Sequence, residues 1–459
     1  MPVSHPVPPR DAGLFKSDAA ASSGGKRSDR CLSSAPSAGR SRMSRDAVVP
    51  ARIERDIEAI AACSQPATTA GYHRATFSPG WARACDYVLS KAGRLGCRSR
   101  RDAHGNLRIR PGGVSWSDRV WLCGSHLDSV PTGGKYDGVS GVVCALELLR
   151  IGVPLELVVF AEEEGTGFGT ALLGSRSWVG TVSASDLSRM QNDEGRSFLE
   201  AGAAFGVDAS AMNGDRLAAE RYLGFVEVHP EQGASLWKQG RPIGLVTTVN
   251  GRRQFRVIMA GRSNHAGSTQ MLDRHDALAG AAQAIIEIER IALDLAVESP
   301  YTVATVGRID VGPNEINVIA NSATFTVDLR AQTPGSLSRA DDLVKKALQE
   351  ICARRGLGLV IESIEDLPPI PMEETVIDRL EHACVALGLT VPRVPSGALH
   401  DAGIVAPYLP AAMIFVASRD GVSHDPAEYT RVEDIALAVR VIAGMLREEE
   451  PGPVTKTSR

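Results

Sequence analysis

The 459-residue sequence predicts an α/β protein, in which strands alternate with helices, carrying an inserted two-layer α+β domain. Four short apolar runs are typical of buried strands, and they lie at 120–123, 155–160, 222–228 and 411–417. Each run is followed, at once or after a few residues, by histidine or acidic residues. Between about 246 and 366 the pattern changes, which indicates the inserted domain.

The N-terminal elements are predicted from apolar spacing. Residues 80–95 predict a helix, because apolar side chains recur near helical spacing, and residues 102–107 (DAHGNL) predict a turn into a strand. After the run at 120–123, apolar residues from Val139 to Leu149 mark one face of a further helix.

Within the inserted region, residues 253–259 and 323–330 alternate apolar and polar side chains, as half-buried strands do. A helix is predicted at 277–290 and a second near 338–353. The proline-rich segment at 367–372 (LPPIPM) returns the chain to the first domain.

Composition excludes several classes of partner. A net charge of −4 with 23% charged residues gives no reason to expect nucleic acid or an anionic membrane surface. No apolar run approaches the roughly 20 residues that a spanning helix needs. The eight cysteines show no CxxC pairing, so we expect a reduced, cytoplasmic protein.

The first fifty residues are dominated by Ser, Ala, Gly, Arg and Lys and have little apolar surface to bury. Such a segment cannot offset its ordering entropy, and we expect a disordered extension. A targeting segment and a translation start at Met43 are the alternatives.

Five scattered positions form one possible metal site. Three neutral imidazoles and two carboxylates suit zinc, manganese, cobalt or nickel. Because open α/β sheets bind ligands at the carboxyl ends of their strands, we expect residues at or just beyond such ends to lie together. A carboxylate shared by two ions would hold a water as a nucleophile. The five residues are His126, Asp137, Glu164, His229 and His424.

Three consecutive carboxylates, Glu162, Glu163 and Glu164, follow the apolar run at 155–160. They repel one another unless a cation is present. Adjacent residues leave a strand end on opposite sides, so one can bind metal while its neighbour faces the water as a general base. An exposed acidic strand end is the alternative.

Four further residues are candidates with an ordinary alternative. Asp128 could orient the histidine two residues before it, or cap a helix. His265 lies in the inserted domain, so it could join the metal site only by domain closure or from a second subunit; a surface histidine fits equally well. His400 lies in a polar loop, and Arg330 could clamp a carboxylate or make a surface ion pair.

At these motifs the chain resembles the amidase/hydantoinase/carbamoylase family of dinuclear metal amidohydrolases, from about Arg52 to Arg447. That family includes N-carbamoyl-L-amino-acid hydrolases, β-ureidopropionases and allantoate amidohydrolases. The resemblance implies a mixed-sheet, zinc-peptidase-like catalytic domain with an inserted dimerisation (lid) domain. It also implies hydrolysis of a linear amide or ureido C–N bond with release of ammonia, and of CO2 from carbamoyl substrates.

The resemblance also implies residue roles. Glu163 is implied as the general base and Asp128 as the residue that orients His126. Two divalent ions per subunit are implied, one held by His126, Asp137 and His229 and the other by Asp137, Glu164 and His424. The implied substrate-binding residues, of which the histidines hold the scissile carbonyl, are Gln232, His265, Asn317, Arg330 and His400.

The partners implied are a small ureido acid substrate and a second copy of the chain. In the homodimer, His265 would act across the interface formed by the inserted domain.

The chain departs from the family pattern at several positions. The family usually has Ser-Arg-Phe after Glu-Glu-Gly, where this chain has Thr-Gly-Phe with Gly167 in the middle. Pro230, Gln270 and Ala320 are further departures. None removes a metal ligand or the base, but several lie near the substrate side, which leaves the preferred substrate open.

These observations divide the chain into five parts: a disordered extension at 1–50, a catalytic domain at 51–245 and 367–447, the inserted domain at 246–366 and a C-terminal tail at 448–459. Two alternatives to the implied activity remain. One is an aminoacylase or dipeptidase of the same fold, and the other is a catalytically inactive binding homologue.

Overall fold

The computed structural model describes residues 47–64 and 71–447. The C-terminal tail and nearly all of the N-terminal extension lie outside the described residues. Within the described part, no helix has the length and apolar character needed to cross a membrane. The seven cysteines of this part are all free of disulfide bonds.

The strands of the described residues number thirteen. In chain order they are β1 (Cys97–Arg101), β2 (Leu107–Pro111), β3 (Val120–His126), β4 (Leu155–Phe160), β5 (Tyr222–Pro230), β6 (Ile243–Val249), β7 (Gly251–Ala260), β8 (Val303–Gly312), β9 (Ser322–Ala331), β10 (Gly358–Leu367), β11 (Ile370–Pro371), β12 (Arg393–Ser396) and β13 (Ala411–Val416).

Twelve α-helices occur in the same part of the chain. They are α1 (Pro50–Ala61), α2 (Pro79–Arg94), α3 (Val139–Arg150), α4 (Leu173–Val179), α5 (Ala184–Leu187), α6 (Phe198–Gly202), α7 (Ser235–Lys238), α8 (Ala277–Glu298), α9 (Pro334–Arg355), α10 (Glu374–Ala386), α11 (Asp401–Val405) and α12 (Val432–Arg447).

The first sheet is mixed and runs in the order β1-β2-β4-β3-β5-β13-β6-β11, with β12 also beside β6. Its central strands β4, β3, β5 and β13 are parallel, while β1, β2 and β11 join by antiparallel pairing. The central strands are almost wholly apolar because both faces are covered. This sheet confirms the predicted α/β architecture.

The second sheet is antiparallel, in the order β10-β7-β9-β8. Helices α8 and α9 cover one face, and the apolar residues of β7 and β9 that point toward them form a separate core around Phe255 and Phe325. The strict alternation of burial along β9 is what a sheet covered on one side produces. The predicted two-layer α+β arrangement is confirmed.

Some element bounds differ from the prediction because pairing partners extend them. Strand β3 continues to His126, since its pairing with β4 runs to the end of that strand. Helix α8 extends eight residues beyond the predicted 277–290, along the second core. The predicted boundary at 246 falls inside β6, whose Val246 and Val249 pair with β12 of the first sheet.

Candidate metal centre

The parallel strands bring their carboxyl ends to one edge of the first sheet. His126 is the last residue of β3 and stands opposite the last residue of β4. His229 lies near the end of β5, opposite Phe415 of β13. Glu164 follows β4 by four residues and His424 follows β13 by eight. Four candidate ligands therefore come from four adjacent strands.

The fifth candidate, Asp137, lies in the turn that leads into α3. Gly138 after it has φ +64°, and a Cβ there would stand 2.5 Å from the imidazole of His126. Only glycine accepts this backbone conformation and this close approach without strain. The turn can therefore place the Asp137 carboxylate beside the histidine ring.

The five side chains lie together around the Asp137 carboxylate. Its Oδ1 is 3.4 Å from His126 Nε2 and 3.0 Å from His229 Nε2. Its Oδ2 is 3.5 Å from His424 Nε2, which is also 3.4 Å from Glu164 Oε2. Two groups result, His126–Asp137–His229 and Asp137–Glu164–His424, with the donor atoms of each group within 4.8 Å of one another.

His126 and His229 both point Nε2 toward this centre. The Nδ1 of His126 donates to the carbonyl oxygen of Asp128 at 3.0 Å, and the Nδ1 of His229 donates to that of Pro230 at 2.9 Å. In the neutral ring this leaves the Nε2 lone pair free to bind a metal ion. His126 Nε2 and Glu164 Oε1 are buried and have no hydrogen-bond partner among the described residues. The donor set therefore fits divalent metal.

Burial and neighbouring charges set the protonation of this centre. Burial alone would lower the pKa of His126, but the carboxylates of Glu163 and Asp137 raise it well above the ordinary value. Burial and the negative charge of Asp137 raise the pKa of Glu164 to about 7. A bound cation favours the charged carboxylates and the neutral imidazoles, which is the state that metal binding requires.

Glu163 lies beside the centre. Its Oε2 is 3.7 Å from His126 Nε2 and its side chain is almost wholly buried. Burial raises the pKa of Glu163 well above the ordinary carboxyl value, although His126 opposes the shift. A carboxylate with a raised pKa is a stronger base than an ordinary one.

Asp128 contacts His126 through its backbone carbonyl. The acceptor for His126 Nδ1 is the backbone carbonyl of Asp128, while the nearer carboxylate oxygen, Oδ1, is 3.7 Å away. The carboxylate instead accepts the backbone N–H of Glu164 at 3.0 Å. Asp128 follows β3 by two residues and Glu164 follows β4 by four, so this bond links the loops beyond two neighbouring strands.

Gln232 lies inside the metal centre. Its Nε2 donates to Asp137 Oδ2 at 2.7 Å, and its backbone has φ +56°. His400 is also close and fully buried, with its ring centroid 4.4 Å from that of His229. Burial and the neighbouring His229 hold the pKa of His400 well below the ordinary value, so its ring stays neutral.

The inserted domain carries the other three predicted residues. His265 and Asn317 are exposed, and no hydrogen bond or ion pair joins them to the five ligands within the described ranges. His265 Nδ1 accepts N–H bonds from Gly267 at 3.0 Å and Ser268 at 3.2 Å. Its proton must therefore be on Nε2, which can donate to a partner outside the loop.

Arg330 joins the inserted sheet to the catalytic part of the chain. Its Nε and Nη2 donate to the two carboxylate oxygens of Asp328, at 2.9 and 3.1 Å, and its Nη1 donates to the carbonyl of Gly397 at 2.7 Å. These residues line a pocket of about 560 Å³ on the helix-free face of the sheet. None of the five ligands is among the residues that line it.

Two buried acids near the centre are absent from the predicted set. Glu227 accepts the hydroxyl of Ser125 at 2.7 Å and the N–H of Ala402 at 2.9 Å. Strand alternation, which puts it on the same face as His229, was the signal that could have found it. Glu428 is 3% exposed and follows His424 by four residues, but no strand pattern marks it.

The fold and the site define the class of the protein. The chain belongs to the Peptidase family M20/M25/M40, whose model matches residues 122–448, and this family is metal-dependent. Among solved structures, it is similar to an amidase of the hydantoinase/carbamoylase family from Burkholderia multivorans. The two are 29% identical with a TM-score of 0.80, over 87% of this chain and 98% of the other. The predicted family resemblance is confirmed.

Two curated relatives match over most of their length. The N-carbamoyl-L-amino-acid amidohydrolase of Paenarthrobacter aurescens is 33% identical, over 86% of this chain and 97% of the relative. The allantoate amidohydrolase of Escherichia coli (strain K12) is 33% identical, over 82% of this chain and 92% of the relative. Both are named for hydrolysis of ureido-type substrates.

Removing one ligand tests the metal centre. At free metal of 100 times Kd, binding stabilises the folded parent by about 2.7 kcal/mol. His229→Ala should lose most of this metal-dependent increment, because His229 supplies one of the donors to the first group. Thermal unfolding with and without added zinc measures the increment, and mass spectrometry measures bound metal.

The control is His382→Ala, an exposed histidine on α10. It should keep the full increment. An unchanged increment in His229→Ala would contradict the assignment.

Proposed function

We propose that the chain hydrolyses the ureido C–N bond of N-carbamoyl-L-amino acids or allantoate-like ureido acids. The observation that carries the proposal is the arrangement of Glu163 and five candidate metal ligands at one edge of the first sheet, where four parallel strands end. The names of the relatives supply the substrate class. One water is consumed, and a carbamoyl amino acid yields the free amino acid, CO2 and ammonia.

We assign His126, Asp137 and His229 to one divalent ion and Asp137, Glu164 and His424 to a second, with Asp137 shared. Divalent ions, when bound, supply the Lewis acidity that ionises water and polarises a carbonyl oxygen. Zinc, manganese, cobalt and nickel all suit these donors.

Glu163 is the proposed general base. Asp128 would position two of its neighbours, His126 and Glu164, through the contacts described above. The Glu163 carboxylate takes the proton of the attacking water and returns it to the leaving nitrogen as the C–N bond breaks. Its raised pKa and its position 3.7 Å from His126 Nε2 support this role.

The remaining predicted residues would hold the substrate. His400, neutral and buried, and His265, with its proton on Nε2, are suited to donate to the oxyanion that forms at the carbonyl. Gln232, Asn317 and Arg330 would hold the substrate carboxylate. Arg330 is already oriented by Asp328, which leaves part of its guanidinium edge for a ligand.

A homodimer formed through the inserted domain is part of the proposal, because His265 would then reach the partner's metal centre. An apolar stripe on α8 supports it: Ile286, Leu293 and Val297 lie near helical spacing and are 67%, 64% and 84% exposed. Exposed apolar stripes of this kind mark interaction surfaces.

A substrate panel tests the reaction. Ammonia release should be seen with N-carbamoyl-L-amino acids, allantoate or ureidoglycolate after loading with manganese, cobalt or zinc. Cleavage of N-acetyl amino acids or dipeptides alone, without ammonia, would instead identify an aminoacylase or dipeptidase. Metal binding without any turnover would identify an inactive homologue.

Replacing the base tests the mechanism. Glu163→Gln should lower kcat by a factor of about 100 to 10,000, the usual contribution of general base catalysis, with bound metal unchanged. Steady-state kinetics and metal analysis measure the two effects. Glu350→Gln, on the exposed face of α9, is the matched control and should keep full activity. A near-normal kcat in Glu163→Gln would reject the role.

Charge on the α8 stripe tests the dimer. Ile286→Glu combined with Leu293→Glu should halve the mass measured by light scattering, because two charges would have to be buried in the interface. Activity should fall with the mass. Val385→Glu, at an exposed apolar position on α10, should leave both unchanged. A doubly substituted chain that stays dimeric would place the interface elsewhere.

A further inference from the structure

We propose that Glu162 is a positioning residue that holds Glu163 and Glu164 on their two sides of the metal centre. We further propose that position 167 is glycine because the Glu162 carboxylate occupies the space of its side chain. The inference rests on the proposed function for the roles of Glu163 and Glu164, but the contacts that carry it are independent of substrate.

The Glu162 carboxylate closes the turn that follows the two acids. Its Oε1 accepts the N–H of Gly167 at 2.6 Å and the N–H of Phe168 at 2.8 Å. The Phe168 ring is anchored in turn by an edge contact with Phe198, at 5.1 Å between centroids. The Glu162 side chain is therefore hydrogen-bonded to the C-terminal end of the segment 163–168.

The backbone around Glu162 is fixed on both sides. Its N–H donates to Thr76 Oγ1 at 3.0 Å, and its carbonyl accepts the N–H of Leu173 at 3.1 Å. The carbonyl of Glu163 accepts the N–H of Leu172 at 2.9 Å. Glu162 itself has φ +55°, a strained conformation for a residue with a side chain. Such strain persists only where the surroundings determine it.

This conformation sets the direction of the next two residues. Glu163 comes to lie beside His126, at 3.7 Å, and Glu164 beside His424, at 3.4 Å. Glu162 itself belongs to neither of the two ligand groups. Its carboxylate would therefore affect the metal centre indirectly, by holding the backbone of the segment that carries Glu163 and Glu164.

The glycine at 167 is explained by the same carboxylate. A Cβ at Gly167 would stand 2.7 Å from Glu162 Oε2 and 3.1 Å from Oε1. Glu162 is wholly buried and its Oε1 accepts two N–H bonds, which a side chain at 167 would disturb by displacing the carboxylate.

Three variants and a double variant test the inference. Glu162→Ala should lower kcat by about 10- to 100-fold, as loss of residues that orient metal ligands does, with KM near the parent value. Glu162→Gln keeps an acceptor oxygen and should restore kcat. Gly167→Ala should lower kcat by displacing the carboxylate. The double variant, Glu162→Ala with Gly167→Ala, should have a kcat no lower than that of Glu162→Ala alone, because both substitutions remove the same interaction.

The visible absorption spectrum of the cobalt-substituted protein supplies a readout that needs no turnover. It should change in Glu162→Ala and Gly167→Ala and return to the parent form in Glu162→Gln. If the parent hydrolyses no ureido acid, the proposed function fails while the spectrum still decides the role of Glu162.

Glu200→Ala is the matched control. Its carboxylate also closes a turn, through the N–H and hydroxyl of Ser197 at the start of α6, so its loss should lower stability alone.

An unchanged spectrum and kcat in Glu162→Ala would overturn the inference. So would a Glu162→Gln variant as impaired as Glu162→Ala, or effects of the two single variants that multiply. If Glu162→Ala does not fold, Glu162→Gln and Gly167→Ala decide the question.

Discussion

The carboxylate of Asp137 is shared by three imidazoles that come from distant parts of the chain. Its two oxygens lie within 3.0 to 3.5 Å of the Nε2 atoms of His126, His229 and His424. The three imidazoles can meet only if β3, which carries His126, and β5, which carries His229, end at the same edge of the sheet. Parallel pairing of β4, β3, β5 and β13 provides this, and a slip of one residue would turn these side chains to the opposite face.

Charge places a second constraint on this centre. Burial raises the pKa of Glu163 and of Glu428 well above the ordinary value, and the negative charges of neighbouring carboxylates raise it further. Arg74 is a buried cation near these carboxylates; it donates from Nε to the carbonyl of Leu127, and burial lowers its pKa to about 10. One guanidinium cannot balance this many carboxylates. Divalent cations held between them do so at short range, which is why the donor set favours metal.

The sequence predicted five candidate ligands that the structure brings together, because most of them are metal-binding residue types at or shortly after an apolar run. It did not predict Glu227, although this residue shares a face of β5 with His229, because its contacts come from Ser125 and Ala402 in distant parts of the chain. It named Asp128 but could not say which of its oxygens contacts His126. The direction of the backbone after β3 decides this, and it places the carbonyl oxygen of Asp128 beside the ring. The boundary at 246 depends on β12, a partner nearly 150 residues away.

The segment at 396–400 connects the proposed substrate contacts to one another. Arg330 donates to the carbonyl of Gly397, and the neighbouring Ser396 hydroxyl is 2.8 Å from His400 Nε2. A ureido acid bound with its carboxylate at Arg330 and its carbonyl at His400 would therefore contact this segment at both ends. The segment 396–400 would then limit the length and shape of the substrate between its carboxylate and its carbonyl. Selection among ureido acids would follow from this spacing, because the metal centre would act on the ureido group that all of them share.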